Sequence, residues 1–415
     1  MRNPFISYAL ILLALAGCGG GGGGNPTVDD QAYAVAIQSD GKIIAAGESL
    51  DGGNFQWSFA LARYNTDGSL DPGFGAGGKV LTNMGDVVAR AVVIQSNGKI
   101  IAAGKGYPSG FALVRYNIDG TLDAGFGSGG KVLTAINGGA TAVAIQGDGS
   151  IVAAGYFYNG SGYDFAVARY LVSGTLDLSF GSGGVVITAV GSGFGASGVA
   201  IQADGKILVA GGSYLVRYNF DGSLDTFFGN NGIVYTGSYN EQTSTVAIPA
   251  AGQILAAGSS YNGFSGFSYD LTLSRYNDID GTFDTSFAIL GTATITASSY
   301  YNLDRTTIVP DSVTGKIVVA GYTQYGGFVL ARYDSNGSPD TTFNSGNGIL
   351  ANGGSYWNYN STVRNIAVQT DGKIVVVGRS YLDNVNGYDF ALTRLNGDGS
   401  IDAAFGTSGK VTTGF

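Results

Sequence analysis

Apolar and polar positions along this chain follow a pattern that returns seven times. Its clearest copy is Val35-Ala36-Ile37-Gln38-Ser39-Asp40-Gly41-Lys42-Ile43-Ile44-Ala45-Ala46-Gly47. An apolar run, an Asp-Gly pair able to take positive φ, and a second run rich in Ile and Ala predict a β-hairpin. The stretch recurs at Val92–Gly104, Val143–Gly155, Val199–Gly211, Val246–Gly258, Ile308–Gly321 and Ile366–Gly378. The glycines that close these hairpins lie 57, 51, 56, 47, 63 and 57 residues apart.

Each unit carries two further apolar segments. In the first, Ala34–Gln38 and Lys42–Gly47 predict strands a and b. Phe59–Tyr64, with alternating faces, predicts strand c, and Gly78–Thr82 predicts strand d. Turn-forming residues, Asn65 to Gly75, separate c from d. Four strands at a period near fifty, with no helical periodicity, are the signature of a propeller blade. The expected fold is therefore all-β, a seven-bladed β-propeller of four-stranded antiparallel blades over 29–415. A β-helix repeats at a much shorter period, a leucine-rich repeat shows a Leu/Asn ladder, and separate small domains need linkers; none of these features is present. The pattern leaves ring closure open. The last strand d, Gly409–Thr413, either stays in the seventh blade or joins the first as a latch.

Two consensus stretches, Val-Ala-Ile-Gln-x-Asp-Gly-Lys-Ile-x-x-Ala-Gly and Phe-Ala-Leu-x-Arg-Tyr-Asn-x-Asp-Gly-Ser-Leu-Asp-x-x-Phe-Gly, resemble the delta-60 repeat of bacterial surface and secreted proteins. The resemblance spans Asp29–Phe415 and implies no activity. Departures are local: Pro249–Gly252 replaces the Asp-Gly turn in the fifth unit, Pro310–Gly315 lengthens it in the sixth, and the fourth runs Gly212-Ser213 straight into Tyr214.

Composition adds an address. The chain is 44% hydrophobic and only 12% charged, with 71 Gly among 415 residues, so it can bury a large core. Glu occurs only at Glu48 and Glu241 among thirty acidic residues, a bias that suits Asp-rich turns rather than helices. A formal charge of −9 argues against nucleic acid. At the N-terminus, Arg2 and the apolar Phe5–Leu15 read as a signal segment too short to span a bilayer. It ends in Leu15-Ala16-Gly17-Cys18, which resembles the lipobox of bacterial lipoproteins. That resemblance implies cleavage after residue 17, lipidation of Cys18 and, with Gly19 following, the outer membrane or cell surface. Residues 18–28 then form a lipidated, Gly-rich tether whose six-Gly run spans about 10–15 Å. Cys18 is the only cysteine, so no disulfide framework exists.

The chemistry is limited. With no His, Ser-His triads and His-ligated metals are excluded, and only carboxylate chemistry of the glycosidase kind survives. No cofactor or metal is expected; Asn65-x-Asp67-Gly68-x-x-Asp71 lacks the spacing of an EF-hand. Seven Arg (Arg63, Arg115, Arg169, Arg217, Arg275, Arg332, Arg394), seven Asp (Asp71 to Asp402) and seven Phe (Phe74 to Phe405) recur once per unit. A feature present in every blade is expected to build the blade: Arg paired with Asp, Phe filling the space between blades.

Where the units differ is more informative. The a–b and c–d turns share one face of a propeller and are near-uniform here. The b–c and d–a loops share the other face and are variable and aromatic. Trp57, Tyr158, Tyr261, Tyr300, Tyr301, Tyr356, Trp357 and Tyr359 fall there, and Tyr163-Asp164, Tyr269-Asp270 and Tyr388-Asp389 stand just before strand c. Exposed aromatics among small polar residues suit flat, amphipathic partners. The expectation is a monomeric, lipid-anchored binding module of the cell envelope, for a glycan or a surface protein. A carboxylate-dependent carbohydrate-active enzyme and a purely structural envelope protein are the alternatives.

Overall fold

The computed structural model describes residues 29–51, 56–191, 193–237, 242–249, 253–261, 269–295, 303–311, 313–323, 328–352, 362–382 and 387–415. These form seven sheets, each of four consecutive strands in the order a-b-c-d, all antiparallel. In blade 1 the strands are Asp30–Ile37, Ile43–Asp51, Gln56–Tyr64 and Lys79–Thr82. The a strands of the other blades are Val88–Ile94, Gly138–Ile145, Gly198–Ile201, Gln242–Ala247, Leu303–Pro310 and Thr362–Val368. Neighbouring a strands pack on one another around the ring, that of blade 1 against those of blades 2 and 7, so they line the centre. The d strands form the rim, where Leu81, Leu133 and Ile187 are exposed.

Local chemistry sets each hairpin. Gly41 sits at φ 82°, the Asp40 carboxylate accepts the Lys42 N–H at 3.1 Å, and the register brings Ile37 opposite Ile43. The strands run further towards the loop face than the alternation suggests. Strand a begins at Asp30, and the Tyr-Asp pairs expected before strand c lie within it, at the head of Tyr163–Tyr170, Tyr269–Tyr276 and Gly387–Leu395.

Strand a also carries a bulge. In blade 1 the ladder shifts between Ala32 and Ala34, leaving Tyr33 as an extra residue, and the same shift leaves Arg90, Thr141, Ser244 and Arg364 over in blades 2, 3, 5 and 7. The bulge pushes the strand a backbone against the end of strand b. A Cβ on Gly47 would meet the Gln31 carbonyl oxygen at 1.8 Å, and one on Gly104 that of Val88 at 1.7 Å. The recurring hairpin-terminal glycine is thus a steric requirement of the bulge.

The core lies between blades rather than within one. Seven apolar clusters occupy the seven interfaces; Ile44, Phe59, Leu61 and Phe74 of blade 1 pack against Val87, Ala102 and Val114 of blade 2. The interface between blades 7 and 1 is built the same way, with Ala45, Ala60 and Tyr64 against Val377, Phe390 and Phe405. Ring closure therefore rests on packing between the first and last blades, and no strand is shared.

The residues that recur in every blade make a polar bolt across each interface. Every strand c Arg donates from Nε to Oδ2 of the Asp eight or nine residues on, at 2.5–2.8 Å. Its guanidinium carbon lies 4.2–4.8 Å from the centroid of the recurring Phe. Nη1 then reaches forward to a carbonyl in the c–d turn of the next blade: Arg63 to Ile118, Arg115 to Val172, and so around to Arg394, which bonds Thr66 of blade 1. Beside it a backbone N–H makes a parallel link, Gly75 to the Asp119 carbonyl and finally Gly406 to that of Asp67, at 2.7–2.8 Å in all seven interfaces. Lys42 also bonds Asp71, at 2.8 Å, and its ammonium holds that buried carboxyl below the ordinary range even though burial acts the other way. The Arg ring is thus fully engaged in structure.

Candidate functional site

The face bearing the b–c and d–a loops holds the residues singled out by sequence. At the head of blade 3, Tyr163 lies 5.3 Å from Tyr156 and 5.4 Å from Tyr158, ring centroid to ring centroid. Tyr158 and Tyr163 keep 41% and 43% of their surface exposed. Cross-strand pairing of Tyr158 with Tyr163 aligns the rings, and Asn159 donates to the Asp164 carboxylate at 3.0 Å, pinning the turn between them. Three tyrosines thus form a ledge, while Asp164, next to Tyr163 in the strand, projects from the opposite face of the sheet. On blade 1, Trp57 is half-buried and its backbone N–H bonds Asp86 at 3.1 Å. On blade 7, Tyr388 stacks under Arg379 at 4.1 Å and meets Tyr381 at 5.3 Å. Asp389 is half-buried, and burial pushes its carboxyl up, with Lys79 opposing. Asp270 is half-buried at the head of strand c in blade 5.

The structure therefore brings Tyr158 and Tyr163 together, turns Asp164 to the other face of the same blade, and leaves Trp57, Asp270, Tyr388 and Asp389 on other blades. Tyr261 ends strand b and Tyr269 begins strand c of blade 5, with side chains outside the described residues. Cys18, Tyr300, Tyr301, Tyr356, Trp357 and Tyr359 lie outside the described residues altogether.

A second cluster, not apparent in the sequence pattern, lies where the a strands of blades 7, 1 and 2 meet on this face. Tyr33, the bulge residue of blade 1, donates its hydroxyl to Glu48 at 2.6 Å. The bulge residues on either side are arginines: the guanidinium carbon of Arg90 lies 4.0 Å from the Tyr33 ring centroid and that of Arg364 lies 5.6 Å from it. Arg379, next to Arg364 in blade 7, donates to Gln31 at 3.3 Å. Burial raises the Glu48 carboxyl, although Tyr33 and the three arginines pull it down, and burial pushes the Tyr33 phenol up to about 12. Sequence periodicity could not find this cluster because a bulge breaks the alternation at the residue that carries it. The one available signal was that Arg90 and Arg364 sit five residues before Gln95 and Gln369, where Thr141 precedes Gln146 by the same interval.

Seven segments of the chain, 38–74, 95–126, 146–180, 202–228, 252–287, 314–343 and 369–405, match a family model described as "Domain of unknown function (DUF5122) beta-propeller". No curated protein matches. Among solved structures, a humanized mutant of the Chaetomium thermophilum Polycomb Repressive Complex 2 aligns at a TM-score of 0.48 and 11% identity, over 84% of this chain and 92% of that one. The Drosophila Semaphorin 1b extracellular domains 1–2 align at 0.46 and 10%, over 84% and 83%. The polysaccharide lyase Uly1 aligns at 0.43 and 11%, over 91% of each chain.

Proposed function

From the premise that this chain belongs to the DUF5122 beta-propeller family, we infer that it is a binding module that takes its ligand on the loop face. The observation that carries this reading is the exposed tyrosine ledge at the head of blade 3, on the face where the blades diverge. Exposed phenols packed edge-on and tilted present an apolar surface with hydroxyls at its margin, which suits the apolar face and hydroxyl edge of a sugar ring, so a glycan is the first ligand class and a surface protein the second. The lipobox-like Leu15–Cys18 and the Gly tether support an exported protein anchored through Cys18 at the outer membrane or cell surface. A carboxylate-dependent enzyme is the second reading, favoured by the raised Asp389 carboxyl, a property of general acids.

The test is a glycan and envelope-fraction binding screen on the full chain beside a Tyr158→Ala/Tyr163→Ala variant. Binding by the parent alone supports the reading, and equal binding by both refutes the ledge as its site. An Asp389→Asn variant that loses turnover on a bound polysaccharide would establish the enzyme. For the anchor, labelling by a fatty-acid analogue should disappear in a Cys18→Ser variant.

A further inference from the structure

Most arginines in the described residues are bolts between blades, but Arg90 is not. No ion pair or hydrogen bond to a described residue engages its guanidinium, which lies against the Tyr33 ring. Nor does the blade need a cation at that position. In blade 3 the bulge residue is Thr141, whose hydroxyl donates to the Ala196 carbonyl at 2.6 Å, and in blade 4 the corresponding Ser197 donates to that of Ala210 at 3.3 Å. The cations occur on one side of the ring only, flanking Tyr33. The charges of Arg90, Arg364 and Arg379 all bear on Glu48, whose carboxylate the Tyr33 hydroxyl already engages. Gln31, 6% exposed, and Arg379 each bury a further donor, Nε2 and Nε, that meets no acceptor. The unmet groups of Gln31 and Arg379 are donors, and what donors lack is an acceptor, an anion above all.

The cluster is also continuous with the tyrosine ledge. Arg90 is close enough to Tyr156 for its charge to act on that phenol against burial, and Tyr156 is in ring contact with Tyr163. A ligand lying on the ledge therefore extends towards Arg90.

We propose that Arg90 and Arg364, either side of Tyr33, form a site for the carboxylate or sulfate group of an acidic polysaccharide whose sugar rings lie on the ledge of blade 3. This rests on the glycan-binding reading and narrows its ligand to acidic polymers. A positive corner on a molecule of net charge −9 selects one anionic group by contact, since the field of the whole protein repels polyanions.

The test measures binding of the full chain to polygalacturonate, alginate, dextran sulfate and uncharged dextran. The parent should bind at least one acidic polymer and bind dextran more weakly. Arg90→Gln should weaken acidic binding about 10- to 100-fold, the loss of a charge-assisted contact, while Arg90→Lys retains part of it. Both variants should stay folded and lose only a small part of the parent's urea midpoint, since Arg90 makes no hydrogen bond or ion pair to a described residue and only stacks on Tyr33 of blade 1. Acidic binding that Arg90→Gln and Arg364→Gln leave unchanged overturns the proposal. Equal binding to dextran, with loss only in Tyr158→Ala/Tyr163→Ala, overturns it while leaving the glycan reading intact. Silence from all four polymers sinks both.

Discussion

Replacing Arg217 with Ala should be among the most damaging single changes in the molecule. Arg217 is 2% exposed and holds three things together. Its Nε donates to Asp225 at 2.7 Å, Nη1 bonds the Asp278 carbonyl of the next blade, and Nη2 bonds that of Ile279 at 2.7 Å. Breaking a buried ion pair by removing one partner costs about 3–5 kcal/mol. Lys206, 3.1 Å from the same Asp225 oxygen, stays behind and puts this case at the lower end, about 3 kcal/mol. Two carbonyls losing their donors add about 1 kcal/mol each. The sum, about 5 kcal/mol, is comparable with the entire stability of many domains. Urea unfolding followed by far-ultraviolet circular dichroism would measure it. Arg217→Met combined with Asp225→Leu should cost less than Arg217→Ala alone, because the buried carboxylate goes with its partner and the ammonium left over, Lys206, is a third exposed and keeps Asp204 at 3.6 Å. A loss below about 1 kcal/mol in Arg217→Ala would refute the view that these residues bolt the blades together.

Three further outcomes follow from the same geometry. The Tyr218 hydroxyl donates to Thr188 of the preceding blade at 2.7 Å, whereas Tyr333 faces the blade bearing Ile295 where Thr188 would stand, and its buried hydroxyl has no partner among the described residues. Tyr218→Phe should lower stability by about 1 kcal/mol and Tyr333→Phe should not, as paired melting curves would reveal. Gly104→Ala should cost several kcal/mol in urea unfolding, about the largest class for a point change, because its Cβ meets a backbone carbonyl at 1.7 Å. Burial raises the Asp30 carboxyl to about 6, so the folded chain keeps a proton that the unfolded chain sheds near pH 4. That contribution is complete below pH 4 and is lost as pH rises to about 6, an upper bound of about 3 kcal/mol. The stability difference between parent and Asp30→Asn, measured from pH 4 to 7, should shrink or reverse over that interval; a flat difference would count against the shift.

Much of the fold is legible in the residues because it is local and repeated. Asp40-Gly41 specifies its turn, and Phe59–Tyr64 alternates as a strand c must. That Arg63 pairs with Asp71 follows from repetition, since seven copies of a buried charge demand seven partners. That it also reaches Ile118, 55 residues on, leaves no local trace. Closure was undecidable for the same reason: Gly406 and Asp67 meet only in space. The candidate site was half legible. The Tyr158–Tyr163 ledge is a short hairpin visible in sequence, but Arg90 and Arg364 were hidden by the bulge, which takes one residue out of the two-residue period.

The recurrence of the same bolt at the closing interface has a consequence for how the chain can be rewired. Arg394 grips Thr66 as Arg63 grips Ile118, so the bonds that join blade 7 to blade 1 carry no special status. The order in which the blades are encoded is then a matter of sequence rather than of architecture. A circular permutant with Phe415 linked to Asp29 and new ends in the turn between Thr134 and Gly138 keeps all seven bolts. Seen this way the protein is a wheel whose starting spoke is arbitrary, and any blade can serve as its first.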